Sequence, residues 1–429
     1  MATEQILRLT SKELASGLRP DLPGDVCPMW KDGENVDFAE GALQPAPGQS
    51  IFLNRQQAGR VAGMLEVRAG SGNYPTLFWA IQVGTTGYIY RYNSLDEIDQ
   101  VYASFTGQDD QSTTNFATTY SFARWGTWVL VGNGRNASRI WKPDASPGAG
   151  GGGGTPTFAA LGGGDFTTCE VFVPFRNFML AFNTSNGQDY VQNSDEDDPE
   201  IWTPSSTNAA RRTKVRDLPG YIVSALAYRD YIAFFTASSM HAFEWIGAPD
   251  YFRERPLLRD IGVVGKNAVV VARNLVYGFS SKGIFSTDGV QYKFIDTDAV
   301  HDYIYDNINR AQISKVAAVH DKLNGRVIFY FPYGSSTVNN KGVSWRYQTE
   351  TWSILDHGRT CGTQADIFDN ALLGGTDGLV LLASSSTISP AGEAEPVPLT
   401  ASATLTLPEG FGEGGFGDGF FGGTETVSG

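Results

Sequence analysis

One short phrase recurs seven times along this 429-residue chain. Each copy contains an apolar run, a polar pair that is typically Arg followed by Asp or Asn, and a second apolar run. Arg176 and Arg229 are 53 residues apart, and Arg229 and Arg273 are 44 apart. The seven copies are marked by Asn73, Arg124, Arg176, Arg229, Arg273, Lys322 and Asp369. A near-constant period of this length, with strand-type residues, predicts a β-propeller.

Turn signals divide each repeat unit into short strands. In the fifth unit the turns lie at Arg273-Asn274, Lys282-Gly283 and Asp288-Gly289, the last being a typical type I′ hairpin signal. A single unit of this kind buries its apolar faces only against its neighbours. The sequence therefore predicts an all-β fold, a β-propeller of about seven blades, each a short four-stranded antiparallel sheet, followed by a Gly-rich C-terminal tail.

The predicted organisation has three parts. Residues 1–33 form an N-terminal lead-in arm, residues 34–385 form the propeller, and residues 386–429 form a Pro/Gly/Phe-rich C-terminal extension. The last repeat has a weak fourth strand, so we expect the N-terminal segment 34–53 to complete it, through a strand near Val36 or Ile51. The predicted blades cover residues 58–105, 113–162, 166–206, 213–258, 261–310, 312–358 and 360–385.

The charge balance bears on the partners of the chain. Lys and Arg total 32 against 46 Asp and Glu, which gives a formal net charge of −14. A surface that grips nucleic acid needs clustered Lys and Arg, so specific DNA binding is disfavoured, whereas transient passage of DNA remains open. The N-terminus lacks an apolar signal core, and no run approaches the ~18 apolar residues of a membrane span. We therefore expect synthesis in a cytoplasm and no membrane span.

The densest acidic run lies just before Trp202. It consists of Asp195, Glu196, Asp197, Asp198 and Glu200. Carboxylates can bind Ca²⁺, but this run lacks the alternating pattern of a calcium loop. Two other interpretations are open: the run is a solvated loop, or it lines an acidic channel.

Motifs for catalysis or cofactor binding are weak. The three cysteines form no CxxC pair, the four histidines have no metal-ligand spacing, and there is no GxSxG or phosphate-loop motif. Ser286-Thr-Asp288-Gly289 is similar to part of the Asp-box of sialidases but lacks its Thr-Trp end. The sequence predicts no enzyme, no cofactor and no metal site. A glycosidase and a sugar-binding platform stay as alternatives, the platform through Trp125, Trp128, Trp141 and Trp245.

The C-terminal extension alternates Gly with Phe and acidic residues. Such a composition cannot build a core of its own. We expect four side chains to insert into grooves on a neighbouring copy: Phe411, Phe416, Phe420 and Phe421.

Several segments, in order over about residues 20–385, resemble one family of phage virion proteins, the β-propeller nozzle or hub proteins of short tails. Residues 35–48 are similar to their phrase "NVxFxxGA" followed by a "PG" turn. Residues 193–202 resemble "WSxxxDPxxW", with Asn193 in place of the first Trp. Residues 231–249 and 261–289 resemble the next two units of the family, and residues 345–353 resemble "WxYxxxTWS".

The resemblance implies a structural role in the virion. It implies a ring of copies, commonly six, below the portal and adaptor proteins, with DNA ejected through the central channel and tail fibres or spikes attached outside. It supplies no catalytic residues. This chain ends in a Gly/Phe tail where larger relatives carry further β-structure, so the resemblance determines neither a gate or tip function nor the exact place in the tail. A receptor- or glycan-binding propeller at the tail tip is the alternative.

Overall fold

Seven antiparallel sheets follow one another around a ring in the computed structural model, and this confirms the predicted seven-bladed β-propeller. Six of the sheets have four strands and the seventh has five. The structure describes residues 17–21, 29–39, 42–53, 56–69, 74–93, 98–106, 119–143, 157–297, 299–383, 396–397, 402–406 and 425–428.

The described strands of the N-terminal part and of the first three blades follow one another in chain order. Four strands precede blade one: β1 (Met29–Glu34), β2 (Val36–Ala39), β3 (Ala42–Pro45) and β4 (Gln49–Ile51). Blade one contains β5 (Arg60–Ala69), β6 (Tyr74–Val83), β7 (Thr86–Asn93) and β8 (Ile98–Thr106). Blade two contains β9 (Ser121–Trp125), β10 (Trp128–Gly132), β11 (Arg139–Trp141) and β12 (Ala159–Ala160). Blade three contains β13 (Cys169–Phe175), β14 (Phe178–Thr184), β15 (Gly187–Asn193) and β16 (Arg211–Lys214).

The remaining blades continue the same order. Blade four contains β17 (Ser224–Tyr228), β18 (Tyr231–Phe235), β19 (Ser239–Gly247) and β20 (Tyr251–Arg259). Blade five contains β21 (Val269–Ala272), β22 (Leu275–Phe279), β23 (Ile284–Thr287) and β24 (Tyr292–Phe294), and is followed by helix α1 (His301–Tyr305) and a 3₁₀ turn (Arg310–Lys315). Blade six contains β25 (Ala317–Asp321), β26 (Arg326–Phe331), β27 (Lys341–Arg346) and β28 (Thr351–Leu355). Blade seven takes β29 (Cys361–Gly362), β30 (Leu372–Gly374) and β31 (Val380–Ala383) from this part of the chain.

The first strand of each blade lies nearest the axis, because the first strands of successive blades contact one another around the ring. We call the four strands of a blade A to D, from the axis outwards. Neighbouring strands are antiparallel, so the A–B and C–D turns lie on one face of the disc and the B–C turns and D–A connections on the other. These faces are called the AB/CD face and the BC/DA face below.

An N-terminal strand closes the ring. Strand β4 pairs with β31 in blade seven, where Ile51 lies opposite Leu381, and β32 (Pro396–Val397) adds to its outer side. Of the two candidate strands, it is thus the one with Ile51 that completes this sheet, while Val36 lies in the separate hairpin β2–β3. The Arg359 guanidinium donates to Gln49 Oε1 at 2.8 Å and holds the closing strand to the body of the ring.

The two ends of the chain meet beside blade six. Strand β1 pairs with β33 (Ser402–Thr406), which pairs with β34 (Glu425–Ser428), and this small sheet contacts β28. The Arg346 guanidinium pairs with the buried Asp37 carboxylate and anchors the following hairpin. The described end of the N-terminal arm and two short strands of the C-terminal extension therefore form one small sheet at the rim.

Aromatic side chains fill the spaces between blades. Between blades three and four, the ring centroids of Phe182 and Phe234 are 5.8 Å apart, and those of Phe182 and Phe243 are 6.3 Å apart. Full burial of a Phe side chain stabilises a fold by roughly 1.5–3 kcal/mol, so these contacts hold successive blades in a fixed relation.

Candidate functional site

The repeated Arg residues join neighbouring blades on the AB/CD face. Arg176, Arg229 and Arg273 lie in A–B turns with φ of 52°, 52° and 48°. The Arg176 guanidinium lies 4.3 Å from the ring centroid of Trp245 in blade four, and the Arg273 guanidinium lies 5.0 Å from that of Tyr347 in blade six. Each turn thus reaches the next blade through a cation–π contact or a hydrogen bond. The repeated Arg residues of the sequence pattern thus help to pack successive blades against one another.

The Arg229 guanidinium makes the equivalent contact through hydrogen bonds. It donates to the Asn274 and Asp288 carbonyl oxygens of blade five, both at 3.2 Å. Asp288 belongs to the segment that is similar to part of an Asp-box. Its carboxylate accepts hydrogen bonds from the backbone N–H groups of Gln291 and Val290, which lower the pKa of Asp288. This segment acts as a C–D hairpin turn.

The acidic run lies in the C–D connection of blade three, on the AB/CD face. Strands C and D are the outer strands of the blade, but the loop also reaches the A–B turn. The Asp197 N–H donates to the Asn177 carbonyl oxygen in that turn at 2.9 Å. That the loop lines a channel between copies stays a prediction.

The carboxylates of this loop fold it back on itself. Asp195 Oδ1 accepts from the Glu196 and Ala209 N–H groups at 2.8 and 2.7 Å, and Asp198 Oδ1 accepts from the Glu200 N–H at 2.9 Å. Glu200 forms an ion pair with Lys142 of blade two. These bonds satisfy backbone donors that a loop otherwise leaves to water. Glu196 and Asp197 remain exposed to solvent.

Metal binding by this loop finds no support in its geometry. Two of its carboxylates, Asp195 and Asp198, accept hydrogen bonds from backbone N–H groups. Within the part of the chain that the structure describes, no group of three or more His, Cys, Asp or Glu residues could hold a metal ion. The Trp202 indole N–H donates to the Pro199 carbonyl oxygen at 2.8 Å, so this buried Trp fixes the end of the loop.

The four Phe residues of the C-terminal extension lie outside the described residues. Their insertion into a neighbouring copy stays a prediction. They are Phe411, Phe416, Phe420 and Phe421.

Exposed large apolar side chains are unequally divided between the two faces. Among the described residues, Val83 and Tyr221 lie on the BC/DA face. On the AB/CD face, Val290 is 81 % exposed and Leu323 is 56 % exposed. The full set on the AB/CD face is Tyr74, Ile201, Trp245, Ile246, Val290, Tyr292 and Leu323. Apolar groups concentrated on one face are typical of a surface that contacts another protein.

The tryptophans do not form a common platform. Trp141 is buried and packs edge-on against Phe78 at 5.0 Å between centroids. Trp128 lies under the Lys142 ammonium at 4.2 Å. Trp125 and Trp128 belong to blade two and Trp245 to blade four, with blade three between them.

The axis of the propeller is narrow and is crossed by a charged side chain. A cavity of about 170 Å³ lies between the inner strands, and a second of about 340 Å³ opens toward the BC/DA face. Lys266 lines both. Its ammonium lies 2.7 Å from Glu170 Oε1 and donates to the Thr119 carbonyl oxygen at 2.9 Å. A side chain that bridges the inner strands in this way obstructs the axis.

Sequence reasoning did not identify Lys266 as an axial residue. Its partners Glu170 and Thr119 lie in other blades, 96 and 147 positions away in sequence. No local pattern signals such a contact, because it depends on the position of each D–A connection around the ring.

Comparisons with known proteins supply no family. No protein-family model matches the chain, and no curated protein matches it. Among solved structures, it is similar to the extracellular domain of a hybrid two-component system from B. thetaiotaomicron, with 14 % identity and a TM-score of 0.48. That match covers 78 % of this chain and 40 % of the other, so the chain spans less than half of that protein's length. The computationally designed Ika8 protein matches with 10 % identity and a TM-score of 0.41, over 79 % of this chain and 100 % of the other.

These likenesses say nothing about what this chain binds or does. Within the described ranges, no helix is long and apolar enough to cross a membrane.

Proposed function

We propose that this protein is a structural component of a phage tail, a nozzle or hub protein that forms a ring below the head–tail connector. The resemblance of its ordered phrases to that family supports the proposal. The observation that carries it is the concentration of exposed apolar side chains on the AB/CD face. A rigid disc that exposes most of its large apolar side chains on one face, among charged ones, is suited to assembly with copies of itself and with other virion proteins.

In such a ring, DNA would pass between copies of the chain and not through the axis of one propeller. The axis is crossed by Lys266, whereas a ring of several copies encloses a much wider lumen. The net charge of −14 disfavours tight phosphate contacts, which suits a conduit that DNA traverses without being held. The partners would be other copies, commonly six, together with head–tail adaptor or portal proteins and tail fibres or spikes. The protein would be located in the virion.

The first experiment measures the solution mass by light scattering, with negative-stain imaging of the same sample. We expect rings with a central hole, alone or upon addition of purified connector. The double variant Val290→Asp/Leu323→Asp places charges on the AB/CD face, at side chains exposed enough to leave the fold intact. It should prevent ring formation.

Val83→Asp on the BC/DA face is the matched control, because Val83 is also exposed (39 %). The control should assemble like the unaltered protein. Rings formed equally well by the double variant would contradict the assignment of the AB/CD face. A chain that stays monomeric even with connector would contradict the ring itself.

A second variant tests the C-terminal extension. Deletion of residues 408–429 removes Phe411, Phe416, Phe420 and Phe421 together with strand β34, and should weaken assembly without unfolding the propeller. A retained cooperative thermal unfolding transition provides the folding control. A ring of unchanged stability after the deletion would refute the role of these side chains.

One observation favours a second function, recognition of a glycan. Tyr221 is 43 % exposed at the mouth of the 340 Å³ axial cavity, which Asn183 and Gln188 also line. An aromatic ring beside side-chain amides is an arrangement that suits sugars. A glycan array with the unaltered chain and with Tyr221→Ala tests it. Saturable binding that is lost in the variant favours this function, and the absence of binding rules it out for this cavity.

A further inference from the structure

A chain of side-chain hydrogen bonds lies at the BC/DA end of blade four. Ser239 and His241 are two positions apart on β19 and therefore face the same side of the strand. Ser239 Oγ lies 2.9 Å from His241 Nε2, and His241 Nδ1 lies 2.7 Å from Glu254 Oε1 on the neighbouring strand β20. Such a hydroxyl–imidazole–carboxylate order, at these distances, is the arrangement of an activated serine nucleophile.

For a neutral His241 imidazole, the hydrogen-bond directions follow from Thr236 at one end of the chain and from the Glu254 carboxylate, which only accepts, at the other. Thr236 Oγ1 accepts from the Ser238 N–H at 3.1 Å and from the Ser239 N–H at 2.9 Å, which occupies both lone pairs. The Thr236 hydroxyl proton is then donated to Ser239 Oγ, 2.8 Å away. Ser239 in turn donates its own proton to His241 Nε2. The remaining imidazole proton lies on Nδ1 and is donated to Glu254.

The imidazole is held in place by packing as well as by hydrogen bonds. The ring of His241 stacks on the ring of Phe234, with centroids 5.0 Å apart and 17° between the planes. His241 is 5 % exposed and Ser239 is 4 % exposed, whereas Glu254 is partly exposed. A general base whose tautomer and orientation are fixed is prepared to take a proton from its serine.

The three side chains line one cavity of about 560 Å³, within the size range of small-molecule sites. Arg216 and Arg259 line the same cavity. Both guanidinium groups are exposed, and neither makes a hydrogen bond or ion pair with any residue that the structure describes. The cavity therefore brings together a hydroxyl, an imidazole, two guanidinium groups and three carboxylates, those of Glu254, Asp217 and Asp260.

We propose that Ser239, His241 and Glu254 form a hydrolytic site for small carboxylic esters. Ser239 Oγ attacks the carbonyl carbon while its proton moves to His241 Nε2. The bond from carbon to the leaving oxygen breaks, and His241 returns the proton to that oxygen, which releases an alcohol. Water then adds to the acyl-serine, giving its proton to His241, and the carboxylic acid leaves as Ser239 recovers its proton.

The charge that develops on the carbonyl oxygen needs a donor. The N–H groups of Ser238 and Ser239 are already bonded to Thr236 and do not supply it. Arg216 and Arg259 are the cationic side chains that line the cavity, so the proposal requires one of them to turn toward the carbonyl oxygen of a bound ester. Glu254 acts as a positioning residue, because it touches His241 and not the ester.

The competing interpretation is that these bonds only hold the turn 236–239 and its strand together. A structural chain of this kind leaves Ser239 unreactive. Reactivity of the Ser239 hydroxyl therefore separates the two interpretations, and the test is independent of the proposed role in a phage tail.

The test treats the full-length protein with a fluorophosphonate probe and maps the modified residue by mass spectrometry. We expect modification at Ser239 and hydrolysis of 4-nitrophenyl acetate by the same preparation. Ser239→Ala and His241→Gln should each lower the hydrolysis rate by about 100-fold or more, the size of a general-base contribution. Glu254→Gln should lower the rate and alter its pH profile. Ser206→Ala, an exposed serine on the AB/CD face, is the matched control and should keep the full rate.

The unaltered protein alone is able to overturn the proposal, so the result does not depend on whether a variant folds. Absence of modification at Ser239 in folded protein would refute the site. Modification that persists at the same rate in folded His241→Gln would also refute it, because the serine would then not depend on its base.

Discussion

The A–B turns of blades three to five place their charged groups outside the fold, whereas the strand ends that flank the A–B turn of blade six bury an ion pair. Arg176, Arg229 and Arg273 are exposed and contact the next blade. In blade six, Arg326 Nε donates to Asp321 Oδ2 at 2.9 Å, and the two side chains are 3 % and 1 % exposed. The sequence period is the same in both regions, but one turn joins neighbouring blades and the other stabilises its own blade.

This difference has energetic consequences. An exposed cation–π contact contributes about 0.5–1 kcal/mol, and salt screens it. Removing one partner of a buried ion pair costs about 3–5 kcal/mol, because the other charge is left without compensation. Charged residues in an A–B turn and those at the strand ends beside it therefore need not have similar effects on stability.

Asp321→Ala should give the largest effect. It leaves the Arg326 guanidinium buried beside an apolar side chain and removes the acceptor of the Asn324 side-chain amide. We expect the free energy of unfolding to fall by about 3–5 kcal/mol, measured by urea denaturation. Asp230→Ala, at an exposed position of the blade-four A–B turn, is the matched control and should change it by less than about 0.5 kcal/mol. Equal effects of the two substitutions would remove the distinction between the turns.

The buried polar region of blade six should also respond to pH. Burial, and then the positive charges of Arg359 and Arg326, lower the pKa of His357 well below its ordinary value of 6.5. His357 therefore binds a proton near pH 6.5 in the unfolded chain but not in the folded chain. The free energy of unfolding falls as the pH decreases below that value. Well below pH 6.5 the loss is about 1.4 kcal/mol per pH unit, until the lowered pKa of folded His357 is reached.

Unfolding midpoints between pH 7.5 and 5.5 check this expectation. His357→Gln should make the unfolding midpoint depend less on pH, and His320→Gln should have the same effect to a smaller extent. Burial also lowers the pKa of His320, but to a smaller extent. An unaltered slope in His357→Gln would show that another group controls the acid response.

The exposed turns should show the smallest effect. A double-mutant cycle of Arg176→Met and Trp245→Leu isolates their contact from their separate contributions. We expect a coupling free energy of about 0.5–1 kcal/mol that decreases in 1 M salt. Strict additivity of the two substitutions would mean that the Arg176–Trp245 contact does not stabilise the ring.

Some features of the candidate sites can be predicted from the sequence, and others cannot. The acidic run before Trp202 was recognised from composition, but its position in the C–D connection of blade three depends on which strands flank it. The hydrolytic site was missed because Ser239 and His241 match no linear motif, and Glu254 reaches His241 only through the pairing of β19 with β20. Likewise, Val36 and Ile51 were equal candidates for ring closure, and only strand pairing distinguished them.

The period of the apolar runs determined the all-β class, the repeat unit and the β-propeller, because each unit can bury its apolar faces only by stacking on similar neighbours. The tertiary structure decided which charges are buried, which side chains cross the axis, and which face of the disc carries most of the exposed large apolar side chains. These properties depend on contacts between residues far apart in sequence, such as Lys266 with Glu170 and Arg359 with Gln49. Those contacts form only when the ring has closed.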